Sequence, residues 1–263
     1  QQPMMAEKTY RVRSISVQGN DRTSRFVIER ELGFKKGDTI SQQQLELGIS
    51  NIRNTNLFSD VHWKTKLDQE QLDLGITVAE RWTTIPIVKF ASGGGVTQTT
   101  IGVYDPNLFG QYLEAGAQIE KLEDVTSGVV WFKNPRLFNQ RLGVDVQYWD
   151  TNRIRTKYNQ DADDIEIING FLMSRKKFYL GIDKEFNPYF RGSLFFEHNS
   201  DSFSDDFVDD EVAAIIALNG LPVDTEFNFL GLGARYGRVD VNSYRFDGQD
   251  VGLDLRLAVS ETD

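Results

Sequence analysis

Past Trp82 the apolar residues of this chain recur at every second position, segment after segment, almost to its end. Leu113, Ala115, Ala117 and Ile119 alternate with Glu114, Gly116, Gln118 and Glu120, and Leu142, Val144, Val146 and Tyr148 with Gly143, Asp145 and Gln147. Phe178, Leu180, Ile182 and Phe186 oppose Tyr179, Gly181, Asp183 and Glu185, and Val251, Leu253, Leu255, Leu257 and Val259 oppose Gly252, Asp254 and Arg256. A period of two is the signature of strands with unlike faces. No run of about 18 apolar residues occurs, so no helix of this chain spans a membrane. A barrel escapes that exclusion, because spanning strands mix lipid-facing and lumen-facing residues and tolerate a mean hydropathy of −0.41.

Alternation alone does not separate a soluble sandwich from a membrane barrel, since a sandwich turns its apolar side inward. Connections favour the barrel. Short turns at Asp105-Pro106-Asn107, Asn134-Pro135-Arg136 and Asn187-Pro188-Tyr189 alternate with wider connections at 151–175 and 200–225, the pattern of short turns at one rim and long loops at the other. Trp131, Trp149, Tyr148 and Tyr189 are candidates for interfacial girdles. At roughly 20 residues per strand plus connection, 82–263 holds about nine strands, with starts near 83, 96, 112, 127, 141, 176, 191, 226 and 250.

Before Trp82 the periods are mixed. A short strand from Thr9 breaks at Gly19-Asn20-Asp21; Thr23 or Ser24 then caps a helix carrying Phe26, Val27, Glu29, Arg30 and Leu32, which Gly33 stops. Gly37-Asp38 turns the chain, and Ser41 caps a longer helix with Leu45, Ile49 and Ile52 on one stripe. Val61 and Trp63, then Leu72, Leu74, Ile76 and Val78, mark two strands joined at Asp68-Gln69. Strand, helix, helix, strand, strand is a small α+β layer.

Ile15-Ser16-Val17-Gln18-Gly19-Asn20, the Gly33/Gly37 pair, the second helix and Asn56-Leu57-Phe58-Ser59-Asp60-Val61 together resemble a POTRA domain. Asp105-Pro106-Asn107-Leu108-Phe109-Gly110, Asn134-Pro135-Arg136-Leu137-Phe138 and Tyr236-Gly237-Arg238-Val239-Asp240 resemble the first half of a BamA/TamA-type barrel. The Val-Arg-Gly-Phe/Tyr loop motif of that family's later strands is missing, as is its terminal strand ending in an aromatic residue. The expected organisation is a tail at 1–8, a POTRA domain at 9–81 and the N-terminal portion of an antiparallel transmembrane barrel at 82–263, with the remaining strands supplied by the same or another chain. Gln1-Gln2-Pro3 has no basic flank and apolar run, so an export signal was either removed or never present.

The resemblance implies a bacterial outer-membrane protein with its POTRA in the periplasm, acting in assembly, insertion or translocation of outer-membrane or secreted polypeptides. Its implied partners are those unfolded polypeptides, outer-membrane lipids and periplasmic accessory proteins. An extended client adds to a sheet edge through backbone hydrogen bonds, and the segment Val61, His62, Trp63, Lys64, Thr65 and Lys66 is the expected edge. The seam of the barrel is expected at Ile85, Pro86, Ile87, Val88 and Phe90, where Pro86 lacks an N–H and weakens pairing. Alternative readings are a passive pore or adhesin, and the transporter portion of a fused passenger or patatin-like secretion protein.

Other chemistry finds little footing. A net charge of −10 disfavours nucleic acid, and no cysteine is present for thiolate sites or thiol catalysis. His62 and His198 stand without a ligand set. His198-Asn199-Ser200 supplies adjacent residues where a hydrolase needs a nucleophile and base brought together by folding. Gly93-Gly94-Gly95 lacks the Lys-Ser/Thr and helix of a phosphate loop, and Asp161–Asp164 and Ser204–Glu211 lack calcium-loop spacing and read as solvated loops. Asp145, Asp183 and Asp254 are expected to face a barrel lumen. The reading is of a non-enzymatic protein without cofactor.

Overall fold

A computed structural model describes residues 8–93, 96–158, 167–206, 208, 210–242 and 245–259. The chain forms two sheets in succession. The first contains β1 (Thr9–Gln18), β2 (Thr39–Ser41), β3 (Phe58–Asp68) and β4 (Gln71–Glu80) in the order β2-β1-β4-β3, with β1 parallel to β4 and the other pairs antiparallel. Helices α1 (Arg25–Leu32) and α2 (Gln42–Asn54) pack on it.

Local chemistry accounts for these elements. Ser41 Oγ accepts from the Gln44 N–H while Gln44 Oε1 accepts from the Ser41 N–H, a reciprocal capping box that starts α2. Gly33 ends α1 at φ 75°, a conformation open to glycine. At the start of α1, Ser24 is the N-cap residue but its side chain makes no capping bond; its N–H instead donates to the Gly110 carbonyl. Gly48, an awkward residue for a mid-helix position, lies where a Cβ would come within 2.6 Å of the Leu32 carbonyl oxygen, so α1 and α2 approach closely only because it is glycine. The core comprises Val12, Ile28, Leu45, Ile49, Ile52, Leu72, Leu74 and Ile76 with their neighbours. Phe58 and Val61 are packing residues within it.

Two features differ from expectation. The three-residue β2 is too short to show a period and pairs with β1 at the sheet edge. The buried stripe of α1 is Val27, Ile28, Glu31 and Leu32, leaving Phe26 exposed.

The second sheet is a nine-stranded antiparallel meander: β5 (Ile85–Gly93), β6 (Val96–Asp105), β7 (Glu114–Leu122), β8 (Val125–Asn134), β9 (Leu142–Tyr158), β10 (Ile167–Asn187), β11 (Phe190–Ser204), β12 (Thr225–Asn242) and β13 (Arg245–Val259). Among the described residues β5 and β13 do not pair with each other, so the sheet is open. Register fixes the faces. Val88, Ile101, Ile119, Val130, Tyr148 and Phe178 fall on one face, continued by Leu180, Phe196, Leu230 and Leu257. That apolar face is the exposed one: Val88 is 75% exposed, Leu253 64% and Leu255 53%. A sandwich would have buried it. The opposite face carries Gln98, Glu120, Gln147, Asp145, Glu197 and Arg256. Apolar outside and polar inside is the arrangement of a membrane barrel wall. No described helix is long and apolar enough to cross a membrane, which says nothing of strands.

The strand starts also need correction. β10 begins at Ile167 instead of near 176, and β13 at Arg245 instead of near 250. Most of 151–175 is therefore a long hairpin, hidden from a reading by alternation because Asn152, Arg153 and Arg155 interrupt the apolar pattern. Within 200–225, expected as a wide connection, lies α3 (Asp210–Asn219), which takes in only the last two residues of the expected solvated loop Ser204–Glu211 and whose Val212 and Ile216 are buried, as are Phe171 and Leu172 of β10. Trp131 and Trp149 are not girdle residues: they line a lumen-side cavity with Ile87 and Gln147, and Trp131 Nε1 donates to Glu114. Residues 161–164 and Gly94-Gly95 lie outside the described residues.

Candidate functional site

Three regions of this fold offer chemistry to a partner: the edge of the first sheet, the edge of the second, and the rim where they meet. β3 is an edge strand throughout its length. At Val61 the edge is closed, because its N–H donates to Asp60 Oδ1 at 2.8 Å and its carbonyl accepts from Arg53 Nη2 at 3.0 Å. Both backbone groups of Val61 thus point away from β4. Strand alternation then turns those of Trp63 and Thr65 outward too, while His62, Lys64 and Lys66 bond toward β4. Trp63 packs partly on the core under the Arg53 guanidinium, and His62 pairs with Asp60 at 2.7 Å. Of the six expected edge residues, the outward backbone of Trp63 and Thr65 is what lies open.

Among the described residues β5 pairs only with β6, and β13 only with β12. The five expected seam residues split between faces: Ile85 and Ile87 take the lumen side, whereas Pro86, Val88 and Phe90 take the apolar side, with Pro86 opposite Val103. His198 and Ser200 share one face of β11 and Asn199 takes the other, so adjacent sequence does not assemble a hydrolase site. Asp145 and Asp183 lie on the lumen face, Asp145 accepting from Gln147 Nε2 and Asp183 lining a cavity at the mouth.

The rim was not foreseen. Three Asx-Pro turns share one construction: the side-chain oxygens of Asp105, Asn134 and Asn187 accept from the N–H two residues on, at 2.8, 3.0 and 2.8 Å. All three lie at the end of the barrel sheet facing the first domain. Asn107 Nδ2 donates to Thr23 Oγ1 at 2.9 Å, ahead of α1. Arg136, one turn along, grips Glu31 in α1 with Nε and Nη2, both at 2.9 Å from its carboxylate. Glu31 is 1% exposed and the Arg136 side chain 11%. Burial alone would lower the Arg136 pKa, but Glu31, aided by Glu185, more than reverses it and holds the guanidinium above its ordinary range. Glu185 also receives Arg141 at 2.7 Å. Tyr112 packs against the first domain's core, and burial pushes its hydroxyl up to about 12.

A second cluster closes the far side. Asn54 Oδ1 accepts from the Val241 N–H at 2.8 Å, its Nδ2 donates to Asp240 at 2.9 Å, and Arg238 donates to Asn51 Oδ1 at 3.2 Å. Between the clusters lies a cavity of about 460 Å³ whose wall includes Arg136, Arg141, Arg191, Arg235 and Arg238 as well as Asp183, Glu185 and Asp250. The sequence did carry one sign of this docking. Glu31 falls four residues after Val27 on the apolar stripe of α1, where an acid needs a buried partner.

A soluble α+β module clamped beneath an apolar-outside antiparallel sheet defines a class: a periplasmic module on an outer-membrane barrel. Comparison with known proteins agrees. Residues 10–81 match the POTRA family, described as surface antigen variable number repeat. Over 154 residues the chain is 25% identical to the outer membrane protein assembly factor BamA of Neorickettsia risticii (strain Illinois), covering 57% of this chain and 21% of that protein. Its fold is similar to BamA from Haemophilus ducreyi lacking POTRA domains 1–3 (TM-score 0.51, 15% identity, 94% of this chain and 48% of the other). It is likewise similar to CdiB from Acinetobacter baumannii (TM-score 0.59, 12% identity, 96% and 47%). The chain thus spans about a fifth of the curated relative and just under half of each solved chain. Residues 10–81 thus match a POTRA domain, and sequence and fold together support a BamA/TamA-type outer-membrane assembly superfamily, with an outer-membrane location and the POTRA in the periplasm.

Proposed function

We propose that this chain is the POTRA domain and N-terminal barrel portion of a non-enzymatic protein that inserts outer-membrane proteins or translocates polypeptides. The observation that carries the reading is a pair of open strand edges, β3 below the membrane and β5 within it, on two units held together at a shared rim. An extended client would add to β3 through the outward backbone groups of Trp63 and Thr65, which gives affinity with little demand on its sequence. Its passage would then meet the β5 edge, where Ile85, Pro86, Ile87, Val88 and Phe90 lie unpaired on one side. Unfolded outer-membrane or secreted polypeptides are the proposed clients, and periplasmic accessory proteins the proposed helpers. The relatives' printed names, an assembly factor and CdiB, support the direction of this reading.

The test is reconstitution. Liposomes carrying the protein should speed the folding of an added unfolded outer-membrane protein over empty liposomes. Thr65→Pro removes an outward N–H without touching the bonds to β4, so it should lower that acceleration severalfold while leaving the POTRA melting transition within a few degrees. No acceleration, or full activity in Thr65→Pro, would count against the reading.

A further inference from the structure

The Asx-Pro turns after β6 and β8 share a second feature that docking does not explain. Each places a phenylalanine in the left-handed region: Phe109 at φ 55°, ψ 19° and Phe138 at φ 54°, ψ 29°. That conformation is unfavourable for a bulky side chain and ordinarily falls to Gly or Asn. Yet Phe109 is 84% exposed and Phe138 79% exposed, so packing within the described chain gives neither ring a return for the strain.

We propose that Phe109 and Phe138 are membrane anchors, inserted into the interfacial region of the leaflet nearest the POTRA domain. Three observations support a lipid occupant. The turns lie at the end of an apolar face already assigned to lipid, and that face closes at the same rim with aromatic residues: Phe190 is registered with Tyr236, and the Phe186 and Phe190 rings stack at 5.5 Å. Aromatic side chains favour this depth of a membrane. The turns also satisfy their own backbone, with the Gly110 N–H donating to the Asn107 carbonyl and the Asn139 N–H to that of Arg136, so approach to the acyl boundary strands few donors. Finally, the same turns grip the POTRA through Asn107 and Arg136. Each is therefore two-ended: its third residue holds the domain and its fifth the membrane, which fixes the height of the POTRA above the lipid.

The sequence has no cysteine, so single substitutions give unique sites for an environment-sensitive fluorophore. Phe109→Cys, Phe138→Cys, Leu255→Cys on the lipid face and Gln42→Cys on the POTRA would each be labelled. The protein is then reconstituted in phosphatidylethanolamine/phosphatidylglycerol liposomes containing nitroxide lipids. Labels at 109 and 138 should be quenched most by headgroup-level nitroxide, that at 255 by mid-chain nitroxide, and that at 42 by neither. A label at exposed Gln140 keeps Phe138 in place; its quenching by headgroup nitroxide should fall at least twofold in Phe138→Ser. If 109 and 138 behave like 42, or the Gln140 signal ignores Phe138→Ser, these rings serve a protein partner or none and the inference fails. If 255 is also unquenched, the lipid-facing assignment falls with it. None of these outcomes depends on client assembly.

Discussion

Glu31 and Arg136 show how much one residue pair decides. Taking both charges out of water is costly, and each is tolerated chiefly because the other answers it, with Arg30 3.4 Å from Glu31 and Glu185 3.4 Å from Arg136 as second partners. Glu31→Ala or Arg136→Ala should therefore weaken POTRA docking by about 3–5 kcal/mol, visible as faster hydrogen exchange across α1, whereas replacing both with leucine should cost far less. Glu80 supplies a pH-dependent contact at the same scale. Burial would raise its carboxyl, but hydrogen bonds from Thr23 and the Arg22 N–H outweigh that and leave it below the ordinary range. A lowered folded-state pKa gives stability that is full above the unfolded value and is lost as pH falls through the folded one. Glu80→Gln should accordingly melt earlier than the parent protein at pH 7, by about 1 kcal/mol, with the gap closing as pH drops below about 4.

At the scale of elements, the turn between β6 and β7 matters more than its length suggests. Gly110 sits at φ 70°, and a Cβ there would lie 2.1 Å from the Arg22 carbonyl oxygen. Gly110→Ala should push this turn off the POTRA and lose the Ser24 N–H bond to the Gly110 carbonyl while both units remain folded. Limited proteolysis near Arg81–Thr84 reads that separation as faster cleavage. The POTRA elements themselves were legible beforehand because capping and stop signals, Ser41 with Gln44 and Gly33, act within a few residues. β2 and the full extent of β10 were not, since a three-residue edge strand has no period and the early part of β10 runs its apolar residues consecutively, as Phe171-Leu172-Met173, instead of alternating them.

For the whole molecule, the decisive property is which face of the second sheet meets which solvent. Leu255→Arg places a charge on the lipid face and should destabilise the inserted protein by about 2–4 kcal/mol if near the bilayer midplane. Gln147→Arg on the lumen face should change stability little. Denaturant-dependent folding into liposomes compares the two; equal costs would argue that the sheet does not face lipid as assigned.

By itself the sequence determined a POTRA-like module followed by a run of two-faced strands, because helix stripes, caps, turns and alternation are all written in neighbours a few residues apart. It also offered 61–66 and 85–90 as candidate edge and seam; strand order follows chain order in the second sheet, a meander, but not in the first, where β4 inserts between β1 and β3. Only the tertiary structure decided that the apolar face points out, that Val61 is closed by Asp60 and Arg53 while Trp63 and Thr65 stay open, and that Trp131 and Trp149 look into the lumen. Only it joined Glu31 to Arg136, 105 residues apart. Such contacts depend on how two folded units meet, and the energy that selects them is not expressed until both surfaces exist.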